Sequence, residues 1–148
     1  MQPKRVVCKP EASALPERVD GHVLNPREVY LPHSTRTGIG IDHIRLSYHY
    51  LDAGAMEEYG SLLTDTAQLR RPGSPPAYGR GQVVRLQAAT LAGSGRHTLS
   101  RVFGEGDDIT VVGRYTPLDN PAAGTDFVDV FTLSDEALIL GQRRFLDL

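Results

Sequence analysis

The segment 125–133 (TDFVDVFTL) alternates with a period of two. Residues two apart in a strand share a face, so Phe127, Asp129 and Phe131 fall together, with Thr125 and Leu133. That sets the Asp129 carboxyl between two aromatic rings. A carboxyl group in an apolar cavity ionises at higher pH, because burial disfavours its charge, and this suits a general acid or proton shuttle near neutrality. The other reading turns Val128 and Val130 toward the pocket and leaves Asp129 to solvent or to an arginine; Asp126, on the opposite face, is then the fallback carboxylate. His97 opens a second strand pattern and shares a face with Leu99, Arg101 and Phe103. An unperturbed imidazole titrates near pH ~6.5 and so trades protons at working pH. Placed just after Gly95 and Arg96, His97 is otherwise read as a surface or structural residue. Tyr48 and Tyr59 lie on the apolar faces of two helical patterns. Their phenols could hydrogen-bond a substrate carbonyl or enolate and lay aromatic surface beside a ring, or simply fill the core.

Arg71, Arg80, Arg101, Arg114, Arg143 and Arg144 are many arginines for one small sheet, and any that is buried needs a partner. An arginine on Asp129 would favour its ionised form and make it a base rather than an acid. Metal and cofactor motifs are missing. Of His22, His33, His43, His49 and His97, only His43 and His49 are close, and a spacing of six puts them on different sides of a helix. The lone Cys8 permits no intrachain disulfide and has no obvious base beside it. The glycines around Arg80 lack the Lys-Ser/Thr of a phosphate loop, and no Gly-x-Gly-x-x-Gly turn follows a strand. The expectation is an enzyme or binder that needs neither metal nor nucleotide cofactor.

Three helical patterns precede the strands. Ile41, Ile44, Tyr48 and Leu51 recur at three, four and three, and Gly54 suits the left-handed cap that ends such a helix. Met56, Tyr59 and Leu62 mark a short second helix, and 81–89 a third. Between these last two, 66–71 reads as a strand stopped by Pro72, Pro75 and Pro76. Strands follow at 97–103, 109–115, 125–133 and 137–146, joined by turn-rich loops. Helices followed by hairpin-linked strands predict an α+β domain with an antiparallel sheet. Residues 1–37 carry five prolines and no clear periodicity beyond one short strand at 27–31, so they read as an arm ahead of a domain at 38–148. Their removal is expected to cost the domain little.

The chain has 148 residues, enough for one domain with its own core. A net charge of −2 argues against a nucleic-acid partner, which wants a basic surface. No apolar run approaches the ~18 residues that span a bilayer, and none suits a signal peptide, so a cytoplasmic protein is expected, with no membrane partner.

The order of these elements resembles a known superfamily. The stretch YHYLDAGAMEEYGSLLTDTAQLRRPGSPPAYGRGQVV, then GRHTLSRVFGEGDDITVVGRY, then DFVDVFTLSDEALILGQRRFL together resemble the nuclear transport factor 2-like proteins, particularly SnoaL-like, scytalone dehydratase-like and ketosteroid isomerase-like members. The resemblance covers about residues 38 to 148, and the flavour is that of aromatic polyketide pathways in actinomycetes. It implies a cone-shaped curved sheet packed against three N-terminal helices, with a hydrophobic pocket inside. It implies a polyketide cyclase, isomerase or dehydratase working by proton transfer, with Asp129, His97 and Tyr48 catalytic. Tyr59, Phe127, Phe131, Arg114 and Tyr78 would touch the polyketide-like ligand. A homodimer joined through the outer face of the sheet is also implied. The alternatives from other classes are a non-catalytic binding or accessory domain, and an epoxide hydrolase of the limonene epoxide hydrolase type, for which Asp65, Arg114 and Asp129 are the candidates.

Overall fold

Ile44, Tyr48 and Leu51 all point one way along helix α1 (His33–Ala53), and each is at most 3% exposed. The computed structural model describes residues 33–147. The arm ahead of them, with Cys8 and the strand expected at 27–31, lies outside the described residues. The helix starts well before Ile41, the first residue of its apolar pattern. Its early turns bury Arg36, Thr37 and Gly40. Arg36 Nε donates to Asp107 Oδ1 at 2.9 Å and Thr37 Oγ1 to the Gly106 carbonyl at 2.6 Å. A β-carbon on Gly40 would stand 2.2 Å from a Leu133 methyl, so the glycine lets the helix lie close on the sheet. Gly54 takes φ 73° and caps the helix as expected.

Two shorter helices follow, α2 (Met56–Ser61) and α3 (Arg80–Thr90), with Tyr59 of α2 and Val83 and Gln87 of α3 buried. The strands are β1 (Leu63–Arg70), β2 (Ala77–Tyr78), β3 (Gly95–Glu105), β4 (Asp108–Pro117), β5 (Thr125–Leu133) and β6 (Ile139–Asp147). They form one unclosed sheet in the order β2-β1-β6-β5-β4-β3. The sheet is mixed rather than wholly antiparallel, because β1 and β6 pair in parallel. The reason is topological: the last strand returns beside the first across the sheet, and the short strand β2, hidden among prolines, takes the edge. The described residues belong to one compact unit, Leu31–Leu148.

The helices cover one face. The core there joins Ile44, Leu51, Leu63, Leu69, Ile109, Val111 and Ile139. Two irregularities decide which side chains face it. In β3 the register shifts between Leu99 and Arg101, so Leu99 faces Gly113 while Arg101 pairs with Val112 and Phe103 with Thr110 on the outer face. Arg101 and Phe103 therefore leave the face of His97, against the period-two expectation. In β6 the register shifts near the turn, and Arg144 rather than Arg143 ends opposite Asp129. Among the described residues no helix is long and apolar enough to cross a membrane.

Candidate active site

Two polar groups of opposite design meet on the covered face of the sheet. The first grows from the end of α1. Asp52 is four residues from Tyr48 and so on the same side of the helix. Its Oδ2 accepts the His97 backbone N–H at 2.8 Å, and Oδ1 lies 2.6 Å from His97 Nδ1. A carboxylate oxygen accepts, so Nδ1 is the donor in this contact, and in a neutral ring the lone pair is then on Nε2. The His97 side chain is 0% exposed, and Nε2 has no hydrogen-bond partner among the described residues. Aromatic rings enclose it: Tyr48 at 5.0 Å between centroids, Tyr115 at 4.9 Å and Phe127 at 5.6 Å. Gly113, register partner of Phe127, makes room for that ring: a β-carbon there would lie 2.8 Å from Phe127 Cζ and 2.7 Å from the Thr98 carbonyl.

The second group centres on Asp129, which is 0% exposed. Arg144 grips it twice, Nε to Oδ1 at 2.8 Å and Nη2 to Oδ2 at 2.7 Å. Gln142 Nε2 adds a bond to Oδ2 at 3.1 Å, and the Tyr48 hydroxyl donates to Oδ2 at 2.5 Å. The guanidinium carbon of Arg144 also sits 4.1 Å from the Phe127 ring centroid. Burial works against the Arg144 charge, but its bonds to Asp129 outweigh that and hold its pKa above the ordinary arginine value. Burial, then the Asp129 charge, push the Tyr48 phenol well above its usual range. The site therefore contains a neutral phenol bridging a buried ion pair.

Asp129 does lie between Phe127 and Phe131, yet its surroundings are not the apolar cavity expected. Four donors converge on it, which is the setting of an anion. The Tyr48 proton is committed to Asp129, so toward a ligand the phenol offers an acceptor oxygen and a ring face rather than a free donor. Tyr59 ends a separate chain of bonds: Gln87 Nε2 donates to its hydroxyl at 3.2 Å, and Arg71 donates to Gln87 Oε1 at 3.2 Å. Burial pushes the Tyr59 phenol up to about 12.

The remaining sequence candidates lie elsewhere. Arg114 is half exposed on the outer face, bonded to Asp126 at 2.8 Å, because neither shares the inward parity of Gly113 and Phe127. Tyr78 is 51% exposed on edge strand β2. Asp65 is exposed and pairs with Arg80 at 2.9 Å. The Asp65, Arg114 and Asp129 set is thus not assembled, and Arg144 has Asp129 as its carboxylate partner among the described residues. Sequence reasoning missed Asp52, Gln142 and the role of Arg144. The helical spacing of Tyr48 and Asp52 was the signal for Asp52, masked by its place just ahead of the Gly54 cap. No comparable signal existed for Gln142 and Arg144, because the β6 irregularity sets their face.

With the geometry in hand, the chain can be placed among known proteins. No curated protein sequence matches it. Solved structures share its fold. A protein from Kribbella flavida assigned as a ketosteroid isomerase is 20% identical, over 76% of this chain and 80% of that one, with a TM-score of 0.66. One from Jannaschia sp. assigned as a SnoaL-like polyketide cyclase is 21% identical over 81% and 91%, with a TM-score of 0.64. A nuclear transport factor 2-like protein of unknown function from Cytophaga hutchinsonii is 12% identical over 73% and 89%, with a TM-score of 0.62. At these identities the likeness is one of fold. The SnoaL-like domain profile matches residues 44–140, from the middle of α1 into β6. This chain therefore belongs to the SnoaL-like domain family, on the nuclear transport factor 2-like fold.

Proposed function

We propose that this protein is a cofactor-independent enzyme that moves a proton on an enolisable, polyketide-like substrate, as a cyclase, isomerase or dehydratase. The observation that carries the reading is the free Nε2 of His97, buried among rings while Nδ1 is tied to Asp52. A buried acceptor without a partner costs free energy, so its retention calls for a use. His97 Nε2 would take a proton from carbon next to a substrate carbonyl. The imidazolium formed would be stabilised by Asp52 and would return the proton to carbon or to a leaving oxygen. Asp129 is not the acid of this scheme. With Arg144 and Gln142 it fixes Tyr48, whose ring lies 5.0 Å from that of His97. Tyr48, Phe127 and Tyr115 supply the aromatic walls for a flat substrate.

His97→Gln keeps shape but cannot cycle a proton. It should cut turnover of candidate polyketide intermediates by ~10²–10⁴-fold, with circular dichroism unchanged. Undiminished product formation by folded His97→Gln would remove the imidazole from the chemistry.

The second reading is a non-catalytic binding or accessory domain. It is favoured by the mutual satisfaction of Tyr48, Asp129, Gln142 and Arg144, which leaves this group stable without a ligand. We also propose that the protein is a cytoplasmic homodimer, paired through the outer face of the sheet. Val130, Phe145 and Phe103 are 36%, 46% and 49% exposed there, which supports a covered apolar face.

A further inference from the structure

Strand β1 ends at Arg70 alongside the middle of the parallel strand β6, and this stretch carries two consecutive arginines on each side. The register sets Arg70 directly opposite Arg143, and Arg71 and Arg144 follow one residue on. Like charges facing each other across strands destabilise a sheet. Only Arg144 has an answering carboxylate here, Asp129. Arg71 donates to neutral groups, Gln87 Oε1 at 3.2 Å and Thr90 Oγ1 at 2.9 Å. Arg143 lies over the Phe145 ring at 5.0 Å, and neither it nor Arg70 forms an ion pair among the described residues. The four arginines line one hollow of ≈ 300 Å³, walled by the loop that carries Pro72, Ser74 and Pro76. Among the described residues no acidic one lines it.

We propose that this hollow binds a multiply charged oxyanion, a phosphate ester, diphosphate or polycarboxylate, held by Arg70, Arg71 and Arg143. Three cations without carboxylate partners match a ligand of more than one negative charge better than a lone carboxylate. Guanidinium forks suit such oxygens because each presents two parallel N–H donors. Arg71 is already oriented by Gln87 and Thr90, so less freedom is lost when it binds. Ser74 brings a hydroxyl to the wall, and the prolines hold the loop's shape. Burial, then the nearby Arg144 charge, pull the Arg71 pKa below its ordinary value, as expected of a cation awaiting a counter-ion. The hollow lies by β1 and β6, and His97 on the edge strand β3; Arg144 lines the hollow too, but its guanidinium is already held by Asp129. The site therefore stands whether or not His97 turns over a substrate.

The test is calorimetric titration of the full chain with inorganic pyrophosphate and, separately, with citrate, at low salt. Saturable binding with Kd below ~1 mM is expected for at least one of them. It should weaken as salt is added. Arg70→Gln with Arg143→Gln, both exposed, should weaken it by ~10-fold or more, as loss of charge-assisted hydrogen bonds requires. Arg114→Gln, on the outer face, should leave it unchanged. Tighter pyrophosphate binding assigns a phosphate ligand and tighter citrate binding a polycarboxylate. Failure of both anions to saturate the protein by ~10 mM would overturn the site. So would equal affinity in the folded double variant, or equal weakening by Arg114→Gln.

Discussion

Asp129 illustrates how one residue's role turns on its donors. Its position between two aromatic rings was legible from alternation in 125–133, and the rings are there. Its partners were not legible, because a strand pattern says which side a residue takes but not what stands opposite. Tyr48 comes from α1, and Gln142 and Arg144 from β6, far apart in the chain. With all of them bonded to it, Asp129 serves as the anchor of a buried ion pair that is 0% exposed on the acid side and 7% on the base side. Removing one partner of such a pair strands the other charge, at a cost of ~3–5 kcal/mol. Asp129→Asn should therefore lower unfolding free energy by about that much in urea titrations. Replacing both, Asp129→Leu with Arg144→Met, should recover most of it, since a buried pair often exchanges for apolar residues at little net cost. Full stability in Asp129→Asn would show that Arg144 is solvated in solution and that the pair anchors nothing.

At the scale of elements, the three helices and the main strands were readable because their periodicities are strong and their stops are explicit: Gly54, the 72–76 prolines and the Ser134 turn. What escaped was register. The shift after Leu99 turns Arg101 and Phe103 outward, and the shift near the β5–β6 turn brings Arg144 inward. One extra residue in a strand swaps faces for everything beyond it, and nothing in side-chain alternation marks where it enters. The start of α1 escaped for a different reason. The first residues that are described as buried there are Arg36 and Thr37, which carry no apolar signal. They matter nonetheless, because both reach the Gly106–Asp107 turn between β3 and β4. The arm was expected to be dispensable up to residue 37. The contacts argue for a boundary earlier than that. A chain beginning at Gly38 should be ~1–3 kcal/mol less stable than one beginning at Leu31, through the lost charge-assisted bond and the lost helical turn. Coincident denaturation curves for the two would return Arg36 and Thr37 to the arm.

For the whole molecule, the covered face of the sheet is accounted for by the helices, and the outer face is not. On that face the register aligns Val112, Val128 and Phe145 in one row and Thr110, Val130 and Arg143 in the next. A groove of ≈ 590 Å³ runs beside them, lined in part by Thr98, Val112, Val128 and Phe145. Apolar residues at the centre with Arg101, Arg114, Asp126 and Arg143 around them give the layout of an interface, a dry middle and a charged rim. A second copy is the simplest occupant, since a twofold contact needs only one self-complementary patch. Light scattering should then give twice the 16.2 kDa chain mass at micromolar concentration. Val130→Glu separates association from folding. Its carboxylate would stand opposite Arg143, its register partner, and so be tolerated in the monomer. In the dimer the same carboxylate would be carried into the apolar middle, where an incompletely paired charge costs several kcal/mol. The variant should therefore run as a 16.2 kDa species with an unchanged circular dichroism spectrum. A wild-type mass of one chain, or a Val130→Glu protein that stays dimeric, would mean that copies of this chain do not meet through this face.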